Sequence, residues 1–141
     1  MSSENRSKRE EHTSAMLDVD PSQLERAVSD LQSQLRDGLV AADILDLTTG
    51  ISLVSFNANP QSSALFTLMT EQINKMLEGI MYPGLNRYFL LDLHSDHSAV
   101  VVRSGEDMLL VMLIDNTRTT LGILLSVAIP KALATLEGSR R

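Results

Sequence analysis

His94, Asp96 and His97 bring two imidazoles and a carboxylate into one short stretch, the residue types that ligate zinc or carry protons when they converge in space. A metal centre needs a third or fourth ligand from elsewhere in the chain. These residues fall where a tight turn is expected, so they read as a solvated polar turn. Asp43, Asp46 and Asp92 offer carboxylates for acid-base work, but that chemistry needs two of them across a cleft beside a nucleophile or metal. Nothing in their spacing provides this, and they read as strand-end or hydrogen-bonded carboxylates. The chain has no G-x-x-x-x-G-K-[ST] loop, and its 7 scattered glycines form no G-x-G-x-x-G, so it is not expected to hydrolyse nucleotide itself. No catalytic residue, cofactor or metal is assigned, and a hydrolase reading has no constellation behind it.

Composition narrows the partner. The chain has 141 residues, 43% of them hydrophobic, enough for one domain with a real core. A net charge of -6 disfavours phosphate backbones and anionic lipid, because such binding rests on clustered Lys and Arg. Nucleic acid and membrane are therefore not expected partners. With no cysteine, disulfides, thiol catalysis and thiolate metal sites are excluded. The N-terminus lacks the apolar core of a secretory signal, and the longest strongly apolar run, 108–114, is far shorter than the ~20 residues of a bilayer span. A cytoplasmic location is expected.

The positioning elements follow from periodicity. Residues 1–20 are polar and read as a disordered tail, with the folded domain over 21–137 and a short tail at 138–141. Ser22 as N-cap with Glu25 three residues on predicts a helix start, and Leu24, Val28, Leu31 and Leu35 continue at helical spacing up to Asp37-Gly38. Residues 39–47 and 51–56 form a hairpin around Thr48-Thr49-Gly50. A long middle helix spans 61–78 and is ended by Gly79, Pro83 and Gly84. Three strands follow over 88–94, 99–103 and 108–114. A last helix covers 118–136, capped from Asp115-Asn116-Thr117 and loosened at Pro130. The strand 108–114 has no polar alternation, so both of its faces need cover and it belongs in the middle of the sheet. Pairing it with the first strand gives the order 2-1-5-4-3, an α+β fold with helices on both faces of a five-stranded antiparallel sheet.

The middle helix carries surplus apolar surface. Its large apolar residues spread over roughly 220°, against the ~100° stripe that one sheet needs. Phe66, Ile73 and Leu77 can face the sheet. Leu65, Leu68, Met69, Gln72 and Met76 are then left for a second surface, together with Phe89 and Leu91 on the third strand, which is apolar for an edge. These residues are the expected dimer or partner interface. The 7 methionines, several on this helix, suit an adaptable interface or a gap-filled core equally well.

This order of elements resembles the roadblock family, small αββαβββα domains that include certain dynein light chains and bacterial partners of Ras-like GTPases. The resemblance covers about residues 22–137. It is carried by Gly38-Leu39-Val40-Ala41-Ala42-Asp43-Ile44-Leu45-Asp46-Leu47-Thr48-Thr49-Gly50, similar to the family's first hairpin, and by Thr120-Leu121-Gly122-Ile123-Leu124-Leu125, similar to its last helix. It implies a homodimer formed through the middle helix and third strand, and a non-enzymatic regulator or scaffold that binds a Ras-like small GTPase. The alternative is a PAS-like or profilin-like sensor holding a small ligand between helix and sheet. Against it stand the single long middle helix and an aromatic content of 4%.

Overall fold

The computed structural model describes residues 17–141. Helix α1 (Pro21–Leu35) is followed by a single 3-10 turn, Arg36–Gly38, and by strands β1 (Leu39–Asp46) and β2 (Ser52–Phe56). Helix α2 (Pro60–Gly79) leads to β3 (Tyr88–Leu93), β4 (His97–Ser104) and β5 (Met108–Asp115), and helix α3 (Leu121–Gly138) closes the chain. The sheet is antiparallel with order β2-β1-β5-β4-β3. That is the order and fold class expected from the unalternating 108–114 run, and Met108 to Val111 are all buried.

The sheet's two faces are unequally covered. On one, Ala42, Ile44, Val100, Val102, Leu110, Met112 and Ile114 meet Leu24, Val28, Leu31 and Leu35 of α1 and Leu124, Ala128, Ile129, Ala132 and Leu136 of α3 in one large core. Alternation along each strand sends Leu45, Val101, Leu109 and Val111 to the other face. There they form a small cluster, joined only by the partly buried Leu47, Phe66 and Phe89. Helix α2 alone covers this face.

Several local expectations are corrected. The cap of α1 is Asp20, not Ser22: Pro21 holds the first helical position and forces the preceding residue into extended backbone, so the cap falls one step earlier. The Asp20 carboxylate accepts the Ser22 amide at 3.0 Å and its hydroxyl at 2.7 Å. The last helix starts at Leu121, not at residue 118. Asp115 spends its carboxylate on the Thr117 amide and hydroxyl in a tight turn, and Thr120 caps the helix by accepting the Ile123 amide at 3.2 Å. Pro130 has the expected loosening effect: the turn before it, Leu124–Ala128, is a π turn in which the Ile129 amide reaches the Leu124 carbonyl.

The two expected tails meet. Residues 1–16 of the polar tail expected over 1–20 lie outside the described residues, while Val19 bridges Arg140 and the Asp20 amide donates to the Ser139 carbonyl. Arg140, expected in the short tail 138–141, donates to both carboxylate oxygens of Asp107 and to the Ser104 carbonyl. This clasps the β4–β5 turn, because the guanidinium fork matches a carboxylate in two places.

Among the described residues one helix, Leu121–Gly138, is long and apolar enough to cross a membrane by length and composition. Here its Leu124, Ala128, Ile129, Ala132 and Leu136 lie in the main core.

Asp20→Ala is expected to lower the melting temperature more than Ser22→Ala. Its hydrogen bonds to Ser22 hold the Asp20 carboxyl below the ordinary 3.8. A depressed folded-state pKa means that the cap is intact above the ordinary value and is lost as pH falls through the depressed one. Amide exchange at Ser22 over an acid titration checks this.

Candidate partner interface

Helix α2 is capped by Asn59, whose side-chain oxygen accepts the Gln61 amide at 3.0 Å, with Pro60 at the first helical position. Its two fully buried residues, Ser63 and Thr70, are polar. Ser63 donates to the Oδ2 of Asp43, a buried carboxylate on β1 whose Oδ1 accepts the Ser52 hydroxyl. Thr67 and Thr70 return their hydroxyls to the carbonyls of Ser63 and Phe66, one turn back. The Asp43 carboxylate links β1, β2 and α2. Of the three aspartates weighed from sequence, Asp46 closes the β1–β2 turn by accepting the Thr48 amide at 2.9 Å. Asp92 is exposed on β3.

Several large side chains of α2 point the other way. Leu65 is 57% exposed, Leu68 52% and Met76 69%, Gln72 is exposed, and Met69 is half-buried. Of the residues expected to face the sheet, Phe66 joins the small cluster, while Ile73 and Leu77 are only half-buried. Buried hydroxyls beneath exposed leucines and methionines reverse the usual arrangement, and it is this kind of anomaly, not a single exposed leucine, that carries information. Phe89 and Leu91 are half-buried on β3, which among the described residues pairs only with β4 and so forms one edge of the sheet. They point to the α2 face, as does Leu93.

The end of α2 holds a feature that sequence reading missed. The Met81 amide donates to the Glu78 carbonyl and the Tyr82 amide to the Leu77 carbonyl, the bonding of a Schellman cap. The cap's left-handed position, where glycine is ordinarily favoured, is held by Met81 at φ 62°, and its side chain is 93% exposed. Ile80 and Tyr82 beside it are also exposed. The segment beyond is fixed: Asn74 accepts the Leu85 amide at 2.9 Å, and Arg103 donates to the Leu85 carbonyl at 3.2 Å. Met81 therefore stands on a firm base.

Beside the first half of α2 lies a cleft of about 350 Å³, walled by Ser62, Ser63 and Phe66 on the helix, Leu93 on β3, and Ala41, Ala99 and Leu113 of the sheet, with Asp43 also lining it. His94, Asp96 and His97 sit at the β3–β4 turn, where His97 Nδ1 lies 2.7 Å from the Ser95 carbonyl. Among the described residues no group of three or more His, Asp or Glu is placed to hold a metal ion.

Asp43→Ala leaves two hydroxyls without their acceptor and is expected to cost about 2–3 kcal/mol, with faster amide exchange over the first turns of α2. Met81→Gly removes a left-handed penalty of about 1–2 kcal/mol, partly offset by glycine's chain entropy. A net gain of about 0.5–1 kcal/mol is expected from urea unfolding in dilute solution.

No known sequence family matches the chain, and no curated protein matches it. Solved structures do. Myxococcus xanthus MglB is 16% identical, with a TM-score of 0.73 over 87% of this chain and 91% of that one. An MglB described with a tetrameric arrangement is 20% identical, with a TM-score of 0.66 over 87% and 96%. A roadblock/LC7 domain from Streptomyces avermitilis is 16% identical, with a TM-score of 0.58 over 78% and 91%. With its strand order, its helices on both faces and these likenesses, the chain has the roadblock/LC7 fold.

Proposed function

We infer that this chain is a non-enzymatic, homodimeric regulator or scaffold of the roadblock type that binds a Ras-like small GTPase in the cytoplasm and modulates its nucleotide cycle. The observation that carries the dimer is the reversed face of α2, with Ser63 and Thr70 inside and Leu65, Leu68 and Met76 outside. Next to it lies the apolar edge strand β3, and an exposed edge is a liability unless it is paired or covered. A second copy docked on α2 and β3 covers both, and the tetrameric arrangement described for an MglB of the same fold agrees with self-association.

The GTPase reading rests on the roadblock resemblance. It fits a chain with no phosphate loop of its own, whose part in a nucleotide cycle must be played on a partner's site. The cleft beside α2 favours a second reading, a sensor in which a small apolar ligand lies between helix and sheet. A ligand-dependent rise in melting temperature, in a protein that stays monomeric at all concentrations, would select that reading.

Sedimentation equilibrium over a concentration series is expected to show a dimer. Leu65→Asp, Met69→Glu or Met76→Glu should weaken it at least ~10-fold, because each places a carboxylate in a desolvated contact. A monomer throughout would end the dimer reading. Capture of partners from native lysate, followed by GTP turnover measured with the recovered protein, tests the GTPase arm. Recovery of no small GTPase, with turnover of a Ras-like GTPase unchanged on adding the chain, would end that arm alone.

A further inference from the structure

The large apolar residues along one flank of α2, continued by Ile80 just past its end, are spaced symmetrically about a point between Gln72 and Ile73. Counting outward from that point, Met69 answers Met76 and Leu65 answers Ile80, and these residues with Gln72 share one flank of the helix. A two-fold interface must be self-complementary, each residue meeting the counterpart of its own partner. A stripe that reads alike in both directions meets that condition when two copies of α2 run antiparallel, with Met69 against Met76 and Leu65 against Ile80. Leu65 is 57% exposed, Met76 69% and Ile80 61%, while Met69 is half-buried, so the subunit itself leaves most of this stripe uncovered.

That register fixes where the end of one helix falls on the other. Met81, one residue beyond the stripe, lands opposite Ala64, beside the first turns of the partner's α2. The cleft lies there. Its helical wall, Ser62 and Phe66, borders the stripe, and its far wall is Leu93 on the strand expected at the interface. The remaining walls are largely apolar, and the Asp43 carboxylate nearby already accepts the hydroxyls of Ser52 and Ser63, so an apolar guest suits the site better than a charged one. Met81 is such a guest: an unbranched thioether that adapts to irregular space, 93% exposed and held in a left-handed conformation costly for its type.

We propose that in the dimer each subunit's Met81 seats in the other's cleft between α2 and the sheet, walled by Phe66 and Leu93, with the α2 helices antiparallel about the Gln72/Ile73 centre. Each cleft is then completed by the second copy. The proposal rests on the dimer reading above and adds its register and the residue that locks it.

Because the chain has no cysteine, single thiols can be introduced without background. Met81→Cys and Ser62→Cys are both at exposed positions. Within one subunit they lie about 28 Å apart along the helix, too far for a disulfide, which needs Cα atoms within about 7 Å. Mixed and oxidised, the two single variants are expected to give at least ~10-fold more covalent dimer than either alone. A second pair, Leu65→Cys with Ile80→Cys, should behave the same way. Sedimentation of the unoxidised proteins runs alongside. A stable dimer in which neither pair cross-links, or in which Met81→Cys links to itself as readily, would overturn the register and leave the dimer reading standing. A monomer would overturn both.

Discussion

The fold turns on a central strand that is apolar on both sides, in a chain that covers the two sides unequally. Each face of β5 must be kept from water, at roughly 25 cal/mol per Å² of apolar surface. Helices α1 and α3 together seal one face with a continuous core. The other face has α2 alone, and its cluster is four buried residues with three partly buried neighbours. Most of the stability therefore resides in the α1/α3 layer, and the α2 layer is where the subunit remains unfinished.

The way α2 is fixed explains why its surface is free. It is moored through polar groups: the Ser63 hydroxyl on the Asp43 carboxylate, and Asn74 on the amide of Leu85, whose carbonyl in turn accepts from Arg103 of β4. Hydrogen bonds of this kind are directional, and once buried they are costly to leave unmade. They help set the height and orientation of the helix, with Phe66 packed on the sheet and Leu65, Leu68 and Met76 left outside. The leucines and methionines that would ordinarily anchor a helix to its sheet remain available for another surface.

What the sequence made legible follows from where its patterns are simple. The unbroken run 108–114 gave the central strand, and from it the strand order, because pairing it with the first strand is the simplest way to put it in the middle. The width of the apolar arc on the middle helix gave the surplus, since periodicity counts faces directly. It also turned Phe66, Ile73 and Leu77 toward the sheet, where they are half-buried. What it did not mark is Ser63, buried on the same side because the Asp43 carboxylate on β1 selects a hydroxyl, a pairing that spans 20 residues. Local grammar failed where two signals competed. Pro21 moved the first cap to Asp20, and Asp115 closed a turn instead of starting a helix. The cap at Met81 was invisible because a methionine stands where the rule names glycine; Gly79, two positions earlier, was the misleading signal.

The wide turn at Leu124–Ala128 divides the last helix into two angular frames. One extra residue in a single turn displaces everything before it by about 100° relative to regular geometry. A letter-by-letter alignment of 120–125 with an uninterrupted helix would therefore match residue types while assigning them to the wrong side of the cylinder. Comparison with a helix that lacks this wide turn calls for a one-residue gap there, and without it the positions on one side of the turn are misassigned by about 100° around the cylinder.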